Sequence, residues 1–186
     1  SAASDVYKRQ LETLNRAAVF HPTGTGKSCI AWKVVEAHPQ TTFFWLVAGA
    51  QRLALRQAEL TRYNGGTLPG NVRFCDCEKL AAATPEQWVR LGEQKPGCIV
   101  LDCYHELSAV CWAQSVQKLL RMCPQAKVLG LGVPNGAPVC AAAQELFADC
   151  IVSHMTVAEA MAAGTMPVPS AYACLLYTSD AADDMQ

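Results

Sequence analysis

The chain has 186 residues, 51% of them hydrophobic and 17% charged, with a formal net charge of −1, which is typical of one compact domain with enough apolar residues to bury a core. Because the charge is close to zero, the sequence excludes a strongly basic surface over the whole molecule, although a local groove could still bind nucleic acid. No run of eighteen apolar residues and no secretory leader pattern is present, so we expect a cytoplasmic protein with no membrane partner.

The two ends of the chain are related to each other through the genetic code. A DNA sequence that encodes residues 1–10, read as its reverse complement one base out of frame, encodes the run that begins at Cys174. Both ends resemble a sequencing-library adapter that has been translated on either side of a short DNA insert. We therefore leave residues 1–10 and 174–186 out of the fold prediction, and we expect residues 11–173 to be one domain from a longer protein.

Beyond residue 10, apolar runs alternate with helix-like segments, which predicts an α/β fold with a mostly parallel central sheet covered on both faces. Strands are predicted, in chain order, at residues 17–20, 41–49, 72–75, 98–101 and 126–131. Helices are predicted at residues 27–37, 51–63, from 84 onward, 109–122, 137–147 and 156–163. Thr84-Pro85 is typical of a helix start, and the glycines and proline of NGGTLPG at 64–70 predict a loop.

The cysteines and tryptophans favour core positions. Nine of the ten cysteines lie within 11–173, and no Cys-x-x-Cys pair occurs among them. This pattern argues against both a zinc site and a disulfide framework, and it predicts buried free thiols. The four tryptophans are likewise predicted to fill the core rather than to stack on bases.

HPTGTGKS at residues 21–28 lies between the first predicted strand and the first predicted helix. In that context Gly24 and Gly26 let the backbone curl so that successive N–H groups face a phosphate, and the helix N-terminus adds its positive dipole end. Lys27 can reach the β- and γ-phosphates, and the Ser28 hydroxyl can ligate Mg²⁺. The alternative is a structural glycine turn. We predict a nucleotide-binding loop made of His21, Pro22, Thr23, Gly24, Thr25, Gly26, Lys27 and Ser28.

PTGTGKS after an apolar strand, followed by VLDCYHEL (100–107) at the end of a later apolar strand, resembles motifs I and II of superfamily 2 helicases of the DEAD/DEAH-box kind. FWLV at 44–47 is similar to the motif Ia strand, and AKVLGL at 126–131 is similar to the strand that leads into motif III. The tail of the domain resembles that of bacterial proteins similar to restriction-enzyme helicase subunits. The resemblance covers about residues 17–172.

The resemblance implies a three-layer P-loop NTPase fold, namely the first RecA-like domain of a helicase or translocase that acts on DNA. It implies ATP and Mg²⁺ as cofactors, with Ser28 and Asp102 as metal ligands. It also implies that Lys27, Asp102 and His105 are catalytic, and that His105 links the nucleotide state to motif III. A second RecA-like domain would supply arginine fingers from outside this fragment, so the fragment alone should not unwind nucleic acid.

Several positions depart from the family pattern. Cys103 stands where the family has a glutamate that activates water, and a thiol with a reference pKa of about 8.5 is a poor proton acceptor at neutral pH. Glu106 is displaced by one turn from that position. Gly132 and Val133 stand where the family has hydroxyl residues, and Asp76 stands where relatives place a threonine near the nucleic-acid backbone. These departures predict retained nucleotide binding with impaired hydrolysis.

Arg52 and Arg56 follow the second strand at helical spacing. Such spacing would suit contacts with a nucleic-acid backbone, and it is equally typical of a solvated helix face. Both residues are therefore candidate nucleic-acid contacts.

Three functions remain open on the sequence alone. The first is the ATP-binding domain of a DNA helicase or translocase. The second is a catalytically degenerate module that binds ATP as a conformational ligand or scaffold, which the changes at Cys103, Gly132 and Val133 favour. The third is a different P-loop enzyme, such as a small kinase.

Overall fold

Within the part of the chain that the structure describes, residues 15–134 and 141–166, six parallel strands form one central sheet. The structure is a computed structural model, and the adapter-like ends at 1–10 and 174–186 lie outside the described residues. The strands are β1 Arg16–Phe20, β2 Phe43–Val47, β3 Val72–Asp76, β4 Cys98–Asp102, β5 Lys127–Gly132 and β6 Ile151–His154. Their order across the sheet is β3-β2-β4-β5-β1-β6, and every neighbouring pair is parallel.

Helices connect the strands. They are α1 Lys27–Ala37, α2 Ala50–Tyr63, α3 Cys77–Ala81, α4 Pro85–Glu93, α5 Ala109–Cys111, α6 Lys118–Met122, α7 Ala141–Phe147 and α8 Val157–Ala162. A π-helical segment, Trp112–Gln117, joins α5 to α6, and a 3₁₀ turn, Tyr104–Glu106, follows β4. Helix α4 begins with a capping box, because the Thr84 hydroxyl accepts from the Gln87 N–H and the Gln87 side chain accepts from the Thr84 N–H. The helix start predicted at Thr84-Pro85 is thus confirmed.

Side chains alternate between the two faces of the sheet, as the pleat of a strand requires. In β2, for example, Trp45 faces the cluster formed with α1 and α2, whereas Phe44 and Leu46 face the cluster formed with α3, α4, α7 and the 109–122 region. Strands β2 and β4 are buried along their whole length, since both of their faces are covered. The result is a three-layer α/β sandwich, consistent with a RecA-like domain and with the predicted fold class.

The predicted boundaries differ little from the observed ones, but two elements escaped prediction. The short helix α3 follows β3 directly, and β6 lies between two segments for which only helices were predicted. Strand β6 is short and lies at the edge of the sheet, so its alternation is too brief to be read from sequence. Residues 137–140 of the predicted helix at 137–147 lie outside the described residues.

The tryptophans and most cysteines occupy the core. Each of the four tryptophans is buried, as predicted: Trp32, Trp45, Trp88 and Trp112. Five of the cysteines in the described ranges are free and buried, namely Cys75, Cys77, Cys98, Cys123 and Cys150, while Cys29, Cys103 and Cys111 are free and partly exposed. No helix in these ranges is long and apolar enough to cross a membrane.

The order of the strands places the candidate site. Strand β5 pairs with β1 on one side and with β4 on the other. The segments that follow β1 and β4 therefore emerge at the same edge of the sheet, one strand apart, where α/β proteins bind ligands. The loop at 21–28 and the Asp102 end of β4 share this edge.

Candidate nucleotide-binding site

The loop that follows β1 is a tight turn with two left-handed glycines. Gly24 has φ 86° and Gly26 has φ 87°, which glycine adopts without strain and most other residues do not. The turn is closed on Pro22, whose carbonyl accepts from the Thr25 N–H at 3.4 Å and from the Thr25 hydroxyl at 2.7 Å. The glycines predicted to curl this loop are thus placed where the curvature occurs.

The loop ends at an open helix N-terminus. Gly26 is the N-cap of α1, and no side chain caps the helix. The N–H groups of the first turn, which have no acceptor within the helix, are therefore free to meet an anion. A Cβ atom added at Gly24 would have no other atom within 4 Å, so the space beside the loop is open. Backbone donors, a dipole and open space together suit a phosphate group.

Lys27 folds back over the loop. Its Nζ donates to the carbonyl of His21 at 2.8 Å and to the carbonyl of Pro22 at 2.9 Å. Burial lowers the pKa of Lys27, and the nearby positive charge of Arg56 acts in the same direction. A phosphate oxygen would offer the ammonium a charged acceptor in place of two neutral carbonyls, and such hydrogen bonds are the stronger kind.

Asp102, the last residue of β4, is the buried carboxylate of the site. Its side chain is 1% exposed. The indole N–H of Trp45 donates to Asp102 Oδ2 at 3.1 Å. On its other side the Arg56 guanidinium donates through Nε to Oδ2 at 2.5 Å and through Nη2 to Oδ1 at 3.4 Å. The carboxylate thus accepts hydrogen bonds from two side chains, those of Trp45 and Arg56.

Arg56 also reaches the nucleotide loop. Its Nη1 donates to the Ser28 hydroxyl and to Glu59 on the next turn of α2. Burial opposes the charged form of Arg56, but Asp102 and Glu59 outweigh it and raise the pKa of the guanidinium. The side chain proposed from sequence as a nucleic-acid contact thus has its contacts inside the candidate site, and its binding to nucleic acid stays a prediction.

The arrangement does not suit the Mg²⁺ that the resemblance implies. A hydroxyl and a carboxylate are oxygen ligands of the kind Mg²⁺ prefers. Here, however, the guanidinium of Arg56 hydrogen-bonds to both Ser28 and Asp102, and its positive charge would repel a divalent cation between them. Within residues 15–134 and 141–166, no group of three or more His, Cys, Asp and Glu side chains is placed to hold a metal ion.

Cys103 occupies the turn directly after β4. Its backbone is left-handed, with φ 53°, and its N–H donates to the carbonyl of Leu131 at 3.0 Å. Burial and the adjacent Asp102 carboxylate raise the pKa of the Cys103 thiol. The thiol therefore stays protonated at neutral pH and cannot take a proton from water.

His105 lies in the 3₁₀ turn after β4 and is buried. Its Nδ1 has no hydrogen-bond partner among the described residues, and its Nε2 is 3.6 Å from the Glu106 carboxylate. Burial lowers the pKa of His105, and the charges of Lys27 and Arg52 add to this effect. Glu106 forms an exposed salt bridge with Arg52, so it does not stand in for the missing carboxylate at position 103.

His21 anchors the base of the loop. Its N–H donates to the Gly132 carbonyl at 3.2 Å, and its Nε2 shares a 2.7 Å hydrogen bond with the Ser153 hydroxyl on β6. Burial lowers the pKa of His21, and Lys27 and His154 contribute. The first residue of the loop thus links it to the edge strand of the sheet.

The motif III region is packed with aromatic rings. A Cβ atom at Gly132 would come within 3.0 Å of the Phe20 ring and 3.4 Å of the Tyr104 ring. These two rings meet edge to face, with centroids 6.1 Å apart. The hydroxyl side chain that the family has here would lack room, so the rings account for Gly132.

Asp76, by contrast, has a structural role. It is buried, it caps α3 by accepting from the Glu78 N–H at 3.0 Å, and it accepts from the Gly49 N–H at 3.3 Å. These contacts hold the starts of α2 and α3 together, and the burial of the carboxylate keeps it away from a phosphate backbone.

A comparison with models of known protein families finds no match, and a comparison with curated proteins finds none either. The helicase resemblance therefore stays a prediction that rests on the motifs.

Sequence reasoning missed three residues of the site: Trp45, Glu59 and Arg56 in its observed position. No pattern in the sequence signals them, because their contacts depend on how β2, α2 and β4 pack together.

Proposed function

We propose that this chain binds ATP on the loop at 21–28 and is the first RecA-like domain of a superfamily 2 DNA helicase or translocase with impaired hydrolysis. The observation that carries the proposal is the loop itself. Two left-handed glycines lead into an uncapped helix, with Lys27 folded over the turn. The buried Asp102 carboxylate stands at the same edge of the sheet.

A nucleoside triphosphate suits this site for electrostatic reasons. The helix N-terminus and Lys27 bring positive charge to the loop, Arg56 offsets the carboxylates of Asp102 and Glu59, and open space lies beside Gly24. A phosphate chain would satisfy these groups better than water does, since each contact is a charge-assisted hydrogen bond.

Impaired hydrolysis follows from the residue after β4. A general base or water-orienting carboxylate commonly contributes about 10²–10⁴ in rate. Cys103 offers a protonated thiol at that point, and Glu106 is paired with Arg52. The chain is thus better suited to holding nucleotide than to cleaving it.

DNA as the partner, and a second RecA-like domain that completes the motor, are the parts of the proposal that rest on the resemblance. Arg52 and Arg56 remain the candidate nucleic-acid contacts. Among the two, Arg52 is the more accessible, because its side chain is 43% exposed whereas that of Arg56 is 23% exposed.

A second candidate is a nucleotide-binding scaffold module that uses ATP as a conformational ligand. Three observations favour it: the thiol at Cys103, the aromatic packing that replaces a hydroxyl at Gly132, and the guanidinium between Ser28 and Asp102. ATP turnover at ordinary motor rates that rises with DNA would favour the motor, and binding without turnover would favour the module.

Nucleotide binding is tested with the Lys27→Ala variant. We expect micromolar-to-millimolar affinity for ADP and ATP in the unmodified chain, and at least about a tenfold loss in the variant, since a charged hydrogen bond contributes about 1.5–3 kcal/mol. Isothermal titration calorimetry measures both.

Lys33→Ala is the matched control. Lys33 lies on the same helix, is exposed, and pairs with Glu36 at 2.7 Å away from the loop. Its loss should leave nucleotide affinity unchanged. If the unmodified chain binds neither nucleotide, the proposed function is wrong.

A further inference from the structure

The guanidinium of Arg56 joins the two oxygen ligands that the resemblance assigns to a metal ion. From helix α2, Nε and Nη2 donate to the two oxygens of Asp102 at 2.5 Å and 3.4 Å, and Nη1 donates to the Ser28 hydroxyl. The planar guanidinium donates to both carboxylate oxygens through Nε and Nη2, which leaves Nη1 as the donor to the loop. A fixed positive charge therefore lies between the nucleotide loop and the end of β4.

The surroundings hold this charge in place. Glu59, one turn further along α2, accepts from Arg56 and is itself bound by the Tyr63 hydroxyl at 3.0 Å. On the other side, the Trp45 indole donates to Asp102 at 3.1 Å. The Arg56 side chain is only 23% exposed and that of Asp102 only 1%. An ion pair this deeply placed is costly to break, because its loss leaves a buried charge without a partner.

A divalent cation would have to displace this guanidinium. Mg²⁺ binds oxygen ligands in octahedral geometry at about 2.0–2.1 Å and tolerates little distortion. The oxygens of Ser28 and Asp102 that would serve it already accept hydrogen bonds from Arg56. The resident cation and the metal also carry charge of the same sign. The site thus has one position for a cation, and the Arg56 guanidinium occupies it.

We propose that Arg56 is the built-in cation of this nucleotide site, and that the loop binds a nucleoside di- or triphosphate without a divalent metal. This inference rests on the proposed nucleotide binding. It adds that the preferred ligand is the metal-free nucleotide, whose phosphates are met by Lys27 and the N-terminus of α1 while Arg56 offsets the carboxylates of Asp102 and Glu59 beside them. Ser28 and Asp102 then act as positioning residues for Arg56.

The order of affinities in the presence and absence of metal tests the proposal. The dissociation constant for ADP is measured by calorimetry on the whole chain, in excess EDTA and in MgCl₂. For the unmodified chain, we expect Mg²⁺ to weaken the apparent affinity, because it draws ADP into its magnesium complex and lowers the concentration of the metal-free nucleotide. In the Arg56→Gln variant, which keeps a polar side chain but no charge, binding in EDTA should weaken at least about tenfold, and Mg²⁺ should tighten it.

The control for charge on the same helix is Arg62→Gln. Arg62 is exposed and lies against the Tyr63 ring, with 5.5 Å between its guanidinium carbon and the ring centroid. Like the unmodified chain, this variant should bind ADP more tightly in EDTA than in MgCl₂. An unmodified chain that binds ADP as tightly in MgCl₂ as in EDTA, or more tightly, overturns the inference and leaves the proposed function intact. Absence of binding in both buffers refutes both proposals.

A second measurement needs no variant, and so it does not depend on whether Arg56→Gln folds. The electron paramagnetic resonance signal of free Mn²⁺ is recorded in a mixture of Mn²⁺ and ADP while the unmodified chain is added. A site that takes metal-free ADP removes the nucleotide from its manganese complex, and the free Mn²⁺ signal rises. A site that takes the metal complex makes the signal fall, and that result would overturn the inference.

Discussion

Cys103 forms the turn after β4 with its backbone, and its side chain places a thiol where the resemblance implies a carboxylate. Its left-handed backbone, φ 53°, turns the chain sharply after β4 and directs Asp102 and His105 toward the loop edge. A non-glycine residue in this conformation costs about 1 kcal/mol or more, and such strained turns are frequent at functional sites. The turn places a thiol next to Asp102, and because the pKa of that thiol is raised, it cannot act as a base at neutral pH.

Restoring a carboxylate at this position should increase ATP turnover. In the Arg56→Gln background with MgCl₂, where a metal ion can reach the phosphates, we expect Cys103→Glu to raise the single-turnover rate of ATP hydrolysis at least about tenfold, since a general base contributes about 10²–10⁴. Cys103→Gln is the matched control, because it has the same length but cannot accept a proton, and it should stay at least about tenfold slower than Cys103→Glu. Rapid quench of radiolabelled ATP measures the rate. Equal rates with and without Cys103→Glu in that background would show that this residue does not limit hydrolysis.

The sequence predicted the local geometry of the loop at 21–28. Gly24, Gly26 and Lys27 are close in the chain, so their spacing between a strand and a helix determines their geometry directly. Arg56 and Trp45 reach Asp102 from positions 46 and 57 residues away, and those contacts depend on the packing of α2 and on the register of β2 against β4. No pattern within one segment could have predicted them.

At the scale of elements, the packing of β5 against α7 depends on a glycine. Gly130 is paired with Ala18 on β1 and with Leu101 on β4, and the ring of Phe147 lies across it. A Cβ atom at Gly130 would stand 2.6 Å from Phe147 Cζ and 2.8 Å from Cε2. The ring takes the place of a side chain on this strand, and Phe147 is itself fully buried.

Gly130→Ala should therefore destabilise the fold. Overpacking of this kind costs about 1–3 kcal/mol in the free energy of unfolding, measured by urea denaturation. In a Phe147→Leu background the same substitution should cost less, because the smaller side chain leaves room for the methyl group. Gly70→Ala is the control, since its Cβ atom would meet nothing within 4 Å, and it should change stability by less than about 0.5 kcal/mol. Equal costs of Gly130→Ala in both backgrounds would contradict the contact.

Elements were predicted best where both faces of a strand are covered. Strands β2 and β4 are fully buried, so their apolar runs are unmistakable in the sequence. Strand β6 has exposed and half-exposed residues, and it owes its place to pairing with β1, where Phe20 accepts from the Met155 N–H just beyond its end. A strand held mainly by its partner carries little signal of its own.

At the scale of the whole molecule, one sheet separates two hydrophobic clusters. The cluster against α1 and α2 contains Trp32 and Trp45, and the cluster on the opposite face contains Trp88 and Trp112. Alternate residues of the same strands enter the two clusters, so neither cluster can lose its order while the sheet persists. Both faces should therefore unfold in a single cooperative transition.

Tryptophan fluorescence on one face at a time tests this coupling. The double variant Trp88→Phe, Trp112→Phe keeps Trp32 and Trp45 as the fluorescent probes of the face against α1 and α2. The double variant Trp32→Phe, Trp45→Phe keeps Trp88 and Trp112 as the probes of the opposite face. In each double variant, we expect the urea midpoint from fluorescence to coincide with the midpoint from far-ultraviolet circular dichroism of that same variant. The comparison within one variant removes any change in stability that the substitutions cause. A fluorescence midpoint on either face that falls clearly below the dichroism midpoint would mean that this layer opens on its own, and that the sheet does not couple the two cores.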